Sequence, residues 1–422
     1  MINKLKGGSL KSFAIYLGSS VLNKAIPFFL LPILTRYLSP EEYGTLAVYQ
    51  VMIAFGLPII GMSLNVNITR NFFKVDKDSL SIITYNLMAL LLLSTTLVLL
   101  LVSGYIVVGG NTFSIPAKWV YLLPVICFMN MINTFNLTIL RNRKKASEYG
   151  FFEIGKTILD LSLTLLLVAL YKFGWQGRAY GILISSIIMG LVSVYHIYRS
   201  GYLKFELDTQ QIRSILRVSI PFIPYALGTA IITLSDRLFI DQLVNSAAVG
   251  IYTVGYQFGM MINLFAMALN QTWSPWMYEN LAKDSATSKL RIVKFTYLMC
   301  LLYIALAVVV TFISYYLLPI MTSAEYHDAF KYVIWIAMGY SFNGIFALIY
   351  PYNVHVGTTS VLGMIGLVGA TINLALNYYL IRIGGPVGAA QATLITYVLM
   401  TAGLSIYSYR IFPMPWFYFL KK

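Results

Sequence analysis

Charged residues are scarce in this sequence: Asp, Glu, Lys and Arg make up 11% of its 422 residues, against about 25% in a soluble domain. So few cannot cover a water-exposed surface, which excludes a soluble globular protein. Cysteine is nearly absent. Cys127 and Cys300 both fall inside long apolar runs, which excludes a disulfide framework and leaves the redox compartment open. Histidine is limited to His196, His327 and His355, far apart and without ligand spacing, which argues against a metal centre. No GxxxxGKS or GxxxxGKT loop occurs, so ATP has no phosphate cradle of that kind. An acidic catalytic or metal-binding loop on a large external segment is missing too, which removes a membrane glycosyltransferase or polysaccharide polymerase. The chain therefore reads as no enzyme, with no cofactor.

What is present is apolar: 59% of residues are hydrophobic and the mean hydropathy is +0.75. Runs such as Ile82 to Ser103 and Phe295 to Leu318 can cross a ~30 Å hydrocarbon core as helices. Twelve such spans are expected: 11–35, 43–66, 80–106, 117–140, 150–171, 178–198, 218–240, 248–274, 294–318, 330–351, 358–381 and 387–410. The fold class is an all-α polytopic membrane protein. The net charge of +15 would suggest nucleic acid in a soluble protein, but its distribution says otherwise. Alternate connections collect 21 of the 30 Lys and Arg, including Arg141, Arg143, Lys144 and Lys145, and short basic loops stay cytoplasmic. Both termini are placed inside, nucleic acid is not a partner, and Arg178 is counted to an exterior loop. Lys24 interrupts what would be a signal-peptide core, so the first helix is read as uncleaved. All six Trp fall near span ends, where the indole favours the interface.

The spans repeat. Leu34 to Gln50 returns 206 positions later as Ile240 to Tyr256, with Gly44 on Gly250 and Val48 on Val254. Gly174 to Ser185, GWQGRAYGILIS, falls on Gly385 to Thr396, GPVGAAQATLIT, with five of twelve positions identical. Six spans on each side of a polar connection make two lobes, 1–198 and 218–422, joined by an amphipathic cytoplasmic linker at 199–217. Because six is even, the lobes enter the bilayer from the same side and are related by a pseudo-two-fold axis along the membrane normal.

Charges inside spans must face protein or water, since one at the bilayer centre costs about 2.5–3.5 kcal/mol even on a lenient scale. Lys24 has no carboxylate within one turn of its own helix. Glu153, Lys156 and Asp160, at i, i+3 and i+7, share a face. Asp236 and Arg237 stand on the seventh span, and Asn130, Gln257 and Asn373 add uncharged polar groups. Two uses are open. One is structural, with Lys156 paired to Asp160 and Asp236 to Arg237. The other is a hydrated, positively lined chamber in which Lys24, Lys156, Arg237, Asn130, Gln257 and Asn373 hold an anionic substrate. In that case Asp160, Glu153 and Asp236 are the coupling candidates, because burial raises a carboxylate's affinity for a proton.

The stretches IPFFLLPILTRYLSPEEYG (Ile26 to Gly44), SIPFIPYALG (Ser219 to Gly228) and SDRLFI (Ser235 to Ile240) resemble those of bacterial polysaccharide flippases, more narrowly the O-antigen (Wzx-type) transporters. These belong to the multidrug/oligosaccharidyl-lipid/polysaccharide exporter superfamily, whose lipid II flippase typically has fourteen spans. The resemblance implies a V-shaped, MATE-like pair of six-helix lobes in the bacterial inner membrane. It implies alternating-access transfer of an undecaprenyl-diphosphate-linked oligosaccharide to the periplasmic leaflet, with H+ or Na+ as coupling ion. Membrane lipid, a polysaccharide polymerase and a chain-length regulator are the implied partners, and lumen cations map onto Lys24, Lys156 and Arg237. The alternative is a multidrug or organic-cation exporter of the same fold, which would favour a carboxylate-dominated chamber.

Overall fold

The apolar runs become helices for reasons visible at their ends. The computed structural model describes residues 18, 26, 28–283, 285–356, 358–411 and 413–416. Its first continuous helix, α1 (Phe28–Tyr37), stops at the polar corner. There the Glu42 amide donates to the Ser39 hydroxyl and the Ser39 amide donates to the Glu42 carboxylate. This reciprocal box opens α2 (Pro40–Gly61), with Pro40 in the first turn, where its missing N–H has no partner to lose. The helix runs through Pro58 and breaks only after Gly61, where Met62 and Ser63 take positive φ before α3 (Asn65–Asn71).

Unit 1 continues with α4 (Lys77–Val107), capped by Asp76, then α5 (Leu123–Asn142) and α6 (Ala146–Thr164), which runs on as a π-helical turn over Leu165–Leu170. Next come α7 (Gly174–Arg199) and the short α8 (Thr209–Ser219), whose first amides donate to Asp208. α9 (Phe222–Leu243) leads to α10 (Ser246–Gly259), capped by Asn245, then α11 (Met261–Ala282) and α12 (Ala286–Met321). A 3-10 turn at Ala324–Ala329 precedes α13 (Phe330–Val356), α14 (Thr359–Gly384) and α15 (Pro386–Ile411). Among the described residues every regular element is helical.

Nine described stretches are long and apolar enough to cross a bilayer, against the twelve expected. Two of the other three have physical reasons, while most of the first lies outside the described residues. Only ten residues of the first, Phe28–Tyr37, form a described continuous helix. α6 carries Glu148, Glu153, Lys156 and Asp160, so it is long enough but not uniformly apolar. The 248–274 segment divides at Met260 into a short α10 and an α11 that is polar in its second half. α4 and α12 face outward, with Leu100, Leu101, Leu301 and Phe312 exposed. This is an all-α polytopic membrane protein.

The chain forms two compact units, Met1–Ala230 and Ile231–Lys422, so their boundary lies within α9. The polar connection belongs with unit 1 because it is hydrogen-bonded there. The Lys204 amide donates to Ser81 O, the buried Asn86 side chain donates to Glu206 O and accepts from the Asp208 amide, and Asn67 donates to the Ser219 hydroxyl at 2.7 Å. The tryptophans are not all interface anchors. Trp119 is buried against Tyr49, Trp175 and Tyr180, and buried Trp273 stacks on Phe295 while its Nε1 donates to Leu348 O. A sequence position near a span end does not by itself decide whether an indole meets lipid headgroups or a neighbouring helix.

Candidate functional site

In unit 1, α6 packs on α5 and α7, and its Glu153, Lys156 and Asp160 share one face as their spacing requires. With Asn130 and Thr134 of α5, and Arg178, Ser185 and Ser186 of α7, they line a cavity of about 430 Å³. Ile26 completes one wall. The Lys156 ammonium donates to the Asn130 amide oxygen, which also accepts from the Ser186 hydroxyl at 3.2 Å. A neutral amide thus holds the ammonium directly, with the carboxylates of Glu153 and Asp160 on the same cavity wall. Asp160 does not pair with Lys156. Its Oδ1 accepts from Arg178 Nη1 at 2.6 Å and from Ser185 Oγ at 3.3 Å, and the same Nη1 donates to Thr164 Oγ1 at 2.7 Å.

Arg178 therefore corrects the loop assignment made from the sequence. It lies inside α7 at 8% exposure, and its Nε, buried at the cavity, makes no hydrogen bond among the described residues. A buried donor without an acceptor is costly, so the guanidinium is held by its two Nη1 bonds, to Asp160 and Thr164. One sequence signal could have found this residue: the second repeat has Ala389 where the first has Arg178. A charge in one copy of a doubled helix marks a local requirement. The lining is not predominantly positive either. Lys156 and Arg178 face Glu153 and Asp160, so the cavity is mixed in sign, with Asp160 already engaged by Arg178.

In unit 2, the carboxylate and guanidinium of α9 take the structural option. Arg237 Nη1 meets Asp236 Oδ1 at 2.8 Å and Thr233 O at 3.0 Å. The other carboxylate oxygen, Asp236 Oδ2, accepts from the Tyr252 hydroxyl at 2.5 Å. The guanidinium lies 4.1 Å from the Tyr256 ring centroid, an arrangement in which the ring's negative face adds attraction. Tyr256 and Tyr340 share a hydroxyl–hydroxyl bond of 2.7 Å. Asp236 is 1% and Arg237 5% exposed, so Arg237 is not a free cation in an open chamber. Asn373 is likewise fully buried, bonded to Ser235, Thr396 and Asn377. Gln257 stands half-buried on α10. Lys24 lies outside the described residues.

Of the expected set, the structure brings together Lys156, Asn130, Glu153 and Asp160 around one cavity, and it brings Arg237 and Asp236 together in a separate, closed network. The sequence did not point to Ser185, Ser186 and Thr164 in the first group, or to Tyr252, Tyr256 and Tyr340 in the second. Serine and tyrosine are too common in this chain to stand out without a partner.

Known proteins resemble this chain over much of its length. A family model described as polysaccharide biosynthesis protein matches residues 9–281, and one described as MatE matches residues 221–379. An uncharacterized membrane protein of Haemophilus influenzae is 28% identical over 284 residues, which cover 66% of this chain and 68% of that one. The inward-closed lipid II flippase MurJ superposes with a TM-score of 0.70 at 15% identity, over 93% of this chain and 88% of its own. An inward-facing multidrug-resistance MATE family transporter gives 0.67 at 14% identity, over 92% and 94%. At these identities the two solved structures establish the fold alone. Its long apolar helices make the chain a multi-pass membrane protein, and with the first family model covering well over half of its sequence it belongs to the polysaccharide biosynthesis protein family.

Proposed function

We propose that this chain is a flippase for a polyprenyl-diphosphate-linked oligosaccharide, the repeat unit of an O-antigen or related surface polysaccharide, and that the unit 1 cavity receives its headgroup. The observation that carries this reading is the Lys156 ammonium, held by the neutral Asn130 amide at the wall of a polar cavity. A diphosphate needs a cation at the cavity wall, and sugar hydroxyls need the amide, hydroxyl and carboxylate groups that Asn130, Thr134, Ser185 and Glu153 present there. The sugar-diphosphate head cannot enter hydrocarbon, whereas its polyprenyl tail is at home there, so a polar cavity in a membrane domain divides the substrate along its own chemistry. Outward transfer of negative charge gains about 2.3 kcal/mol per charge per 100 mV of inside-negative potential.

The carrier in this reading has twelve spans in two lobes, sits in the bacterial cytoplasmic membrane with both termini inside, and works by alternating access. Its support is the Lys and Arg asymmetry of the loops and the doubled sequence. The mixed sign of the cavity favours one second reading, export of an organic cation bound by the carboxylates that line it.

The test uses proteoliposomes loaded with lipid-linked oligosaccharide. Lys156→Ala and Asn130→Ala should lower flux tenfold or more with normal protein levels, and Lys156→Arg should retain part of it. Unchanged flux in Lys156→Ala removes the residue from the site. Flux of a cationic dye that survives Lys156→Ala and is lost in Glu153→Gln establishes the second reading instead.

A further inference from the structure

A second cavity lies in unit 2, well separated in character from the polar one. α12 begins, and α13 and α15 end, at one end of this unit, because consecutive helices alternate in direction and α13 packs on both of the others. Between them is a groove of about 630 Å³, lined by Cys300, Ile345, Ile349, Ile406 and Tyr409, with Arg410 at its rim. That volume lies within the ~300–1,000 Å³ typical of small-molecule sites. Trp416, beyond the last helix, closes one side. Its carbonyl accepts from the Tyr297 hydroxyl at 2.9 Å, and its ring meets Tyr297 and Tyr352 edge-on. Beneath the groove Asn353 of α13 donates to Ser408 of α15 at 2.7 Å, which fixes the two walls to each other.

We propose that this groove is a resident site for an anionic phospholipid, one acyl chain lying along the isoleucines and the phosphate at Arg410. Four observations carry it. The groove opens beside outward-facing Leu298 and Leu301, so hydrocarbon rather than water is its natural filling. The three helices that frame it contain no Asp or Glu, while Lys289, Arg291, Lys294 and Arg410 crowd the end at which it opens. Arg410 is exposed and forms no hydrogen bond or ion pair among the described residues, so its guanidinium is available for bidentate recognition of a phosphate. Tyr409, Tyr297 and Trp416 provide the amphipathic rings that sit at headgroup level. The site is separate from the cavity of the proposed headgroup and stands whether or not that reading does.

The chain carries its own reporter. Cys300 lines the groove, whereas Cys127 is 0% exposed, so a membrane-soluble maleimide should label Cys300 selectively. The experiment compares palmitoyl-oleoyl phosphatidylglycerol with the phosphatidylcholine of the same chains, added to the purified full-length protein. Native mass spectrometry should show phosphatidylglycerol retained roughly fivefold over phosphatidylcholine, the ratio expected for one interfacial cation. Phosphatidylglycerol should also slow Cys300 labelling. Arg410→Gln should bring the retention ratio near one and abolish that protection. Ile406→Trp, at a position 59% exposed and so tolerant of bulk, should lower binding of both lipids by filling the groove. Equal retention of the two lipids by the wild type, an unchanged ratio in Arg410→Gln, or labelling indifferent to phosphatidylglycerol overturns the proposal. Displacement of the bound lipid by polyprenyl diphosphate at lower concentration also overturns it, by assigning the groove to transported substrate.

Discussion

In unit 1 the polar side chains of α5, α6 and α7 line a cavity, while in unit 2 those of α9, α10, α13 and α14 are buried against one another. The two arrangements grow from the same frame. α7 begins at, and α15 just after, a glycine at positive φ, 58° at Gly174 and 60° at Gly385, a conformation that favours glycine over any L-residue. Three residues later, Gly177 and Gly388 pass so close to the preceding helical segment that a Cβ would strike the carbonyl of Leu167 or of Leu380. The copies then diverge. Arg178 is answered by Ala389, and one residue past the echo Ser186 is answered by Tyr397. The serine leaves room beside Asn130, whereas the tyrosine is buried against Tyr340. A doubled scaffold thus keeps its backbone contacts in both copies and varies the side chains that decide whether polar groups line a space or fill it.

The strongest way to break this comparison is to open the closed network. Asp236→Ala leaves the Arg237 guanidinium buried without its carboxylate, which should cost about 3–5 kcal/mol, read as unfolding in mixed micelles. The double variant Asp236→Leu/Arg237→Met removes both charges and should recover most of that loss. A double variant as unstable as the single would mean that the pair does more than neutralise itself. Lys156→Ala and Asn130→Ala, by contrast, act on flux.

Gly388→Ala and Gly177→Ala come next, at about 1–3 kcal/mol each, the usual cost of overpacking. Gly388 approaches its carbonyl more closely than Gly177 does, so its variant should be the less stable of the two. Equal stability, or a tolerated alanine at both positions, would show that the shared frame does not depend on these contacts.

Much of the frame was legible in the sequence, because backbone constraints select residue types that survive duplication. Ser39 and Asn245, 206 positions apart, both prove to be helix N-caps, and Gly44 with Gly250 and Val48 with Val254 are buried in pairs. The i, i+3, i+7 face of α6 was legible for the same reason, since periodicity is local. What was not legible depends on tertiary partners. Asp160 could have met Lys156 one turn away, but it meets Arg178 across a helix pair, and no spacing along one helix encodes that choice. Arg237 and Lys156 look alike as isolated cations in apolar runs. Only their neighbours, a carboxylate and a ring for one and an amide for the other, separate a sealed pair from a cavity wall.

The paired caps give a smaller and finer test. Ser39→Ala and Asn245→Ala should each cost about 1 kcal/mol. The two losses should be similar, because the second bond of the Ser39 corner is donated by the Ser39 backbone amide to the Glu42 carboxylate and survives the substitution. If either alanine is silent, that copy of the corner is held by packing alone.

The smallest expected change in stability is the most informative about the cavity. Lys156→Met removes the ammonium but keeps its methylene bulk against α5, and the Asn130 oxygen still accepts from Ser186. The loss should be about 1 kcal/mol, the worth of a single hydrogen bond, or less, since a costly buried charge goes with it. Asp236→Ala should destabilise several times more, although both variants delete one buried charge. The difference follows from what each charge leaves behind. Asp236 leaves an opposite charge locked in place, whereas Lys156 leaves an amide that keeps a second donor and an Asp160 that keeps Arg178. Should Lys156→Met prove as destabilising as Asp236→Ala, the ammonium would be a structural tie to the carboxylates of α6, and the unit 1 cavity would be a second closed network with a gap in it. Should it prove mild, the cation at Lys156 is not needed for folding, and its place beside a polar cavity is explained by what enters that cavity.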